Sequence, residues 1–395
     1  MSFSKPIIAT RAEGLRRLEA FLPHASGTYR DYRNHLSHPE GLPTVSKLSP
    51  WLRHRLITEQ EVIDAVVDEH GVRAAEKFIQ EVLWRSYWKG FLEQRPSLWT
   101  DYRREEFAIP SKHTGIECLD DWQQELEAAG YLHNHVRMWF ASIWQFTLGR
   151  SWQSGADLFL RHLIDGDPAS NTLSWRWVGG RQTNGKIYLA TPGNIAKHTN
   201  GQYKPAQLAT DVKPPAPPEL PVRIPLPSTP VWQVTPKTAL LIHEEDLHPE
   251  GLFGHPHWAS VVALQSTSWR SGLPVSDVVN QFVAEALKDA GSRNTPSDSN
   301  DAACYLASES GFNALLAHLH NAKITQLLTP WAPCGPTADA LAALEPLLKE
   351  KGVQLIRVPR EWDLQLWPHA THGFFRFFKA VRAQHPLFEP TLQNE

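Results

Sequence analysis

Cysteine is scarce in this chain. Its 395 residues hold three, Cys118, Cys304 and Cys334. An odd, widely spaced set builds neither a disulfide framework nor a four-thiolate site for zinc or an iron–sulfur cluster, so all three are expected to be small core residues. No run of roughly 18 or more apolar residues occurs, so no membrane-spanning helix is expected. The opening MSFSKPIIATRAEGLRRLEAF lacks the apolar centre and small-residue cleavage site of a secretory signal, and the expectation is a soluble, cytoplasmic protein. The histidines, His133 and His162 included, show no ligand spacing, and no metal site is expected. Charge of one sign is missing too. Residues 1–205 carry 25 Lys+Arg against 23 Asp+Glu, which leaves 14 against 19 for the remainder. Neither half is a polycation, so any contact with nucleic acid must come from a local basic patch and be sensitive to salt.

What the chain has in excess is tryptophan, 16 in all. Such large aromatics pack in cores, stack on planar ligands or carry electrons. Proline is concentrated in residues 205–237, PAQLATDVKPPAPPELPVRIPLPSTPVWQVTPK, which can continue neither a helix nor a central strand and reads as a semi-extended linker. Before it the pattern is helical. ITEQEVIDAVVDEHGVRAAEKFIQEVLWRSYWKGFL opens with the capping-box spacing Thr58 to Glu61, has apolar residues at helical intervals and places Gly71 as a break. CLDDWQQELEAAG and HVRMWFASIWQFTL continue in the same style. After the linker, five short apolar runs at 238–244, 259–265, 302–307, 324–330 and 353–359 are mostly separated by helical stretches, one of which closes on Gly352 as a C-cap. That alternation predicts a parallel sheet with helices on both faces. No GxGxxG or GxxxxGK[ST] follows its first strand, so a dinucleotide or P-loop reading has no support there. The expected organisation is a helical domain over 1–204, the linker, and an α/β domain over 238–395.

One segment of the helical half stands out. LIDGDPASNTLSWRWVG, 163–179, sets Asp165 and Asp167 a residue apart, then Asn171, then Trp175 and Trp177 a residue apart. A core has little use for two carboxylates, and a surface loop little use for that much aromatic area. The segment reads as the wall of a site.

With YRNHL (32–36), VSKLSPWL (45–52), EVLWRSYW (81–88) and YLHNHVRM (131–138), this segment resembles the FAD-binding helical domain of the photolyase and cryptochrome family over most of residues 10–205. The second half resembles the family's Rossmann-like, antenna-type α/β domain, most clearly in WPHATHGFFRFFKAVR (367–382). In the family that domain comes first, so the resemblance implies a circularly permuted order, and a fold that is a helical FAD-binding domain followed by a Rossmann-like α/β domain. A second, antenna chromophore is left unassigned.

What the resemblance implies for FAD follows residue by residue. Ser46, Leu48 and Ser49 match the motif whose hydroxyls bind the phosphates, with Val45 where the family has threonine. Tyr32 and Arg85 match the other phosphate-side ligands, a guanidinium being a fork suited to phosphate. Asp165 pairs with Arg137 beneath the flavin. Asp167 accepts hydrogen bonds from the ring or ribityl groups, next to Ser170. Asn134 lies at the flavin edge, and Asn171 opposes N5, where a neutral amide favours the photolyase type. For the substrate, Trp84 and Trp177 match the aromatic walls that hold a flipped-out dimer, Glu81 its carboxylic acid and Met138 the residue beneath it. Trp175 and Trp152 match the first two members of an electron-transfer chain whose third is Trp99, Trp122 or Trp144. His135 stands where bacterial enzymes carry an arginine that meets DNA phosphate. The implied function is blue-light-driven, FAD-dependent repair of cyclobutane pyrimidine dimers in DNA by a monomeric enzyme. The alternative is a cryptochrome-like flavin photoreceptor without repair activity.

Overall fold

The computed structural model describes residues 7–182, 185–216, 219–295, 302–385 and 388. The helices that shape the first half are α1 (Arg11–Phe21), α2 (Ser49–Arg53), α3 (Glu59–Glu93), α4 (Glu117–Ala129), α5 (Asn134–Ser142), α6 (Trp152–His162) and α7 (Pro168–Val178). Helix α3 starts where the capping box predicts it. Thr58 accepts from the Glu61 backbone N–H, and the Glu61 carboxylate accepts from the Thr58 N–H in return. The helix is interrupted at Gly71, whose φ of 73° and ψ of 157° suit a residue without a Cβ. Helix α4 ends on Gly130 in the left-handed conformation, and α5 runs on into a π-helical turn, Ile143–Thr147.

Residues 205–216 and 219–237 form neither helix nor strand. The segment lies along the first half and is tied to it by the Ala209 N–H on Thr147 Oγ1 at 3.1 Å and the Ile224 N–H on the Gln94 carbonyl at 2.9 Å.

Five parallel strands follow: β1 (Thr238–His243), β2 (Ser260–Gln265), β3 (Ala303–Leu306), β4 (Gln326–Pro330) and β5 (Gln354–Val358), ordered β3-β2-β1-β4-β5. Helices α8 (Asp277–Asn294), α9 (Glu309–Asn321) and α10 (Pro336–Glu350) make the connections after β2, and α11 (Phe374–Gln384) closes the described chain apart from Phe388. This is a doubly wound sheet whose order reverses between β1 and β4. Strand periodicity splits its residues between two cores. Leu240, Ile242, Ala263 and Leu328 face the core shared with the helical half, whereas Ala239, Leu241, Val262 and Leu327 face a second core under α9 and α10. The halves therefore share apolar packing, as where Trp51 of α2 meets Phe282 of α8 edge-on with ring centroids 6.2 Å apart. No helix among the described residues is long and apolar enough to cross a membrane.

Candidate functional site: a charged and aromatic cavity in the helical half

A cavity of about 450 Å³ opens between α3, α5, α7 and the loop before α2. That size falls within the range of small-molecule pockets. Its lining includes Ser46, Leu48, Ser49, Glu81, Trp84, Arg85, Asn134, Arg137, Met138, Asp165, Asp167, Ser170, Asn171, Trp175 and Trp177. Four sequence segments far apart in the chain thus converge on one space. Tyr32 and Trp152 are not among its lining residues. The Tyr32 ring packs on His38 at 4.0 Å instead, and Trp152 stacks on Tyr102 at 6.0 Å beneath the Arg176 guanidinium.

The two acids are fixed by opposite charge. Asp165 Oδ2 accepts from Arg137 Nη2 at 2.8 Å, while Arg137 Nε donates to the Leu132 carbonyl. Burial alone would raise the Asp165 pKa, but the Arg137 charge overrides it and holds the group below the ordinary carboxylate range. Asp167 caps α7, accepting from the Ser170 N–H at 2.7 Å, and Pro168 occupies the first helical position, where a missing N–H costs nothing. Burial again acts against the charged form of Asp167, and Lys89 and Arg85, whose cationic atoms lie 3.5 and 3.7 Å from its Oδ2, more than cancel it.

Several of these buried atoms have no hydrogen-bond partner within the protein: Asp165 Oδ1, Asp167 Oδ2, Arg85 Nη1 and Lys89 Nζ. Buried donors and acceptors left open are costly. A ligand offering both anionic oxygens and N–H donors meets that demand, and FAD, with a pyrophosphate and a polar ring edge, is such a ligand. Asn171 is oriented by its Nδ2, which donates to the Ala156 carbonyl at 2.7 Å. Only the amide nitrogen can donate there, so the Asn171 oxygen is left without a role in that bond.

The aromatic end has its own supports. Trp84 is backed by Phe374 of α11, nearly parallel at 3.8 Å between centroids, and Trp177 is stacked by Tyr188 at 6.0 Å. Glu81 lines the cavity with a side chain 40% accessible, and its nearest cation is Arg33, 4.0 Å away. The surrounding protein raises the Glu81 pKa against the pull of Arg33 and Lys77. Trp175 is buried, with Phe159 at 5.0 Å and Trp144 at 6.5 Å, both edge-on. Gly155 leaves room for it, since a Cβ there would sit 2.2 Å from Trp175 Cη2. Of the three tryptophans left open as the outer member of a chain, Trp144 touches Trp175, Trp99 reaches Trp152 through Tyr102 at 5.3 Å, and Trp122 packs on Trp139. His135 is buried, its Nε2 3.3 Å from Asn194 Oδ1, and burial lowers its pKa to about 4. It carries no charge at neutral pH.

Sequence reasoning missed Lys89, Phe374 and Glu245. Lys89 follows Arg85 by four residues, and with Glu81 the three share one face of α3, a spacing that could have exposed it. Phe374 and Glu245 come from the other half of the chain, and local pattern carries no signal for either.

Residues 78–204 match the family model for the FAD-binding domain of DNA photolyase. The deoxyribodipyrimidine photo-lyase of Streptomyces griseus is 34% identical over 150 residues, 35% of this chain and 33% of that protein. The cryptochrome DASH of Ostreococcus tauri is 30% identical over 178 residues, 41% of this chain and 32% of its own length. A cryptochrome crystal structure from Synechocystis superposes with a TM-score of 0.38 at 23% identity, covering 48% of this chain and 43% of that one. The chain thus spans about a third of the length of the two curated relatives. The segment that supplies most of the cavity's charged and aromatic lining, residues 78–204, is thus similar to the FAD-binding domain of DNA photolyase.

Proposed function

We propose that this protein is a photolyase that repairs cyclobutane pyrimidine dimers in DNA under blue light. The observation that carries the reading is the meeting of two groups of side chains in one cavity: the guanidinium and carboxylate groups suited to FAD, and the Trp84, Trp177, Glu81 and Met138 set suited to a flipped-out dimer. FAD held here in its reduced form would supply light-driven one-electron chemistry for splitting the dimer. Arg85, Ser46 and Ser49 would hold phosphate oxygens. Asp165 and Asp167 keep their charges through Arg137, Arg85 and Lys89, and accept hydrogen bonds from the cofactor. Asn171, its nitrogen engaged by the Ala156 carbonyl, would have its oxygen free to meet the ring edge. Trp84 and Trp177, each backed by a second aromatic ring, would clamp the dimer, because unstacked bases recover stacking energy on flat apolar walls. Glu81, its pKa raised by the surrounding protein, can offer a proton or a hydrogen bond to the dimer carbonyl.

The test is to illuminate reduced, FAD-loaded protein with an oligonucleotide containing a thymine dimer and follow recovery of thymine absorbance. Glu81→Ala should slow recovery at least about tenfold, the usual scale for an acid or hydrogen-bonding group in a reaction, with FAD still bound. Recovery at the parent rate would defeat the assignment.

One observation favours the second reading, a flavin photoreceptor without repair. His135 is buried and uncharged where bacterial relatives place a phosphate-gripping arginine. Light-driven flavin reduction through Trp175 without any dimer repair, in the same assay, selects that reading.

A further inference from the structure

Lys89 is a buried lysine with two anionic neighbours and no hydrogen bond. It is 1% exposed, and its Nζ lies 3.5 Å from Asp167 Oδ2 and 3.7 Å from Glu245 Oε2. Asp167 belongs to the cavity, whereas Glu245 follows β1 at the carboxyl end of the sheet. Arg53 of α2 ties the same two regions together. Its Nη1 and Nη2 grip Glu245 as a fork at 2.8 and 2.6 Å, and its Nε donates to the carbonyl of Gly166, the residue between the two cavity acids. Lys89, Arg53 and Glu245 are all buried to 5% exposure or less, so water does little to screen them.

The positive excess around this floor is lowered by a carboxylate from the second half of the chain. On the helical side, Arg53, Arg85, Lys89 and Arg137 outnumber Asp165 and Asp167 by two positive charges, while Glu59, whose charge also reaches Lys89 and Arg85, is paired with Arg55 at 3.2 Å. Glu245 reduces the excess to one. The neighbouring pair, Arg270 and Glu244 at 3.7 Å, is neutral by itself and leaves the count unchanged. The carboxylates of Asp167 and Glu245, at 3.5 and 3.7 Å, offset the cost of enclosing the Lys89 ammonium group.

We infer that Glu245, a residue of the α/β half, is a positioning residue for the flavin site: acting through Lys89 and Arg53, it holds the Asp165–Gly166–Asp167 turn and sets the net charge beneath the bound flavin. This inference rests on the FAD reading of the cavity and is independent of whether a DNA dimer is the substrate. A reduced flavin anion is favoured by positive charge nearby, so the net charge of the floor fixes how readily the cofactor is reduced. Glu245 limits that charge.

The experiment uses the full chain loaded with FAD, and binding of FAD by the unsubstituted protein is the control for the cofactor reading itself. The reduction potential of the bound flavin is measured by equilibration with a reference dye in the parent, Glu245→Gln, Lys89→Met and the double variant. Glu245→Gln removes a negative charge and should shift the potential to more positive values. Lys89→Met removes a positive charge and should shift it to more negative values, and the double variant should return near the parent. A merely structural role for either residue would change stability without opposite shifts. Coincident potentials in all four proteins overturn the inference. If Glu245→Gln keeps its helical circular dichroism but releases FAD, the double variant decides: regained FAD supports the charge account, and continued loss overturns it.

Discussion

Single side chains in this protein are held by their neighbours' charge, and that makes their titration readable. Glu93 lies at the end of α3 and accepts from Trp331 Nε1 at 3.0 Å and from the Cys334 N–H at 2.8 Å. Burial outweighs both donors and pushes its pKa from 4.5 up to about 7. An acid that binds its proton more tightly when folded gives stability below its unfolded pKa and loses it as pH rises through the folded one. Unfolding free energy should therefore decline between about pH 4.5 and 7, and Glu93→Gln should flatten part of that slope, as measured by denaturant titration at several pH values. Much of the residue-scale site was legible beforehand. Asp165, Arg137, Asp167 and Asn171 line one cavity, and each lies in a contiguous stretch whose spacing fixes a helix face or a cap. Lys89 and Glu245 were not legible as a pair, because attraction between charges carried by distant segments leaves no periodic trace in either.

At the scale of elements, α3 is the spine of the site. One face carries Glu81, Arg85 and Lys89 toward the cavity floor, and its far end carries Glu93 to the sheet. The helix is broken at Gly71, ten residues before that face begins. A Cβ at Gly71 would meet no atom within 4 Å, so the cost of adding one is conformational only. Gly71→Ala should destabilise the fold by about 1–3 kcal/mol, the range for a backbone conformation other residues avoid, and chemical denaturation would measure it. The capping box, the Gly71 break and all five strands were visible as patterns of period and punctuation. The π-helical turn after α5 was not, since its apolar residues continue the helical rhythm of IWQFTL without interruption.

For the molecule as a whole, the joint between the halves is ionic as well as apolar. Arg55 grips Asp363 with two bonds of 2.8 and 2.6 Å, reaches Glu59 at 3.2 Å and is buried to 1% exposure. Removing one member of such a group leaves the others charged and enclosed, so Arg55→Met should cost roughly 3–5 kcal/mol. Because the two halves share a core, the loss should appear as one transition, with helical circular dichroism and tryptophan fluorescence moving together. Separate midpoints for the two probes would contradict that coupling. The order of a helical half followed by a parallel sheet was legible from the switch of apolar period across the proline-rich stretch. How the halves dock was not, because it depends on pairs such as Arg55–Asp363 and Arg53–Glu245 that join segments far apart in the chain.

The proline-rich strap between the halves runs along the first half and bonds to it at Thr147 and Gln94, while the halves meet through their own buried surfaces. Covalent continuity is therefore redundant once folding is complete. Severed within that strap, the two pieces should still elute together in size-exclusion chromatography, because the core they share does not depend on it.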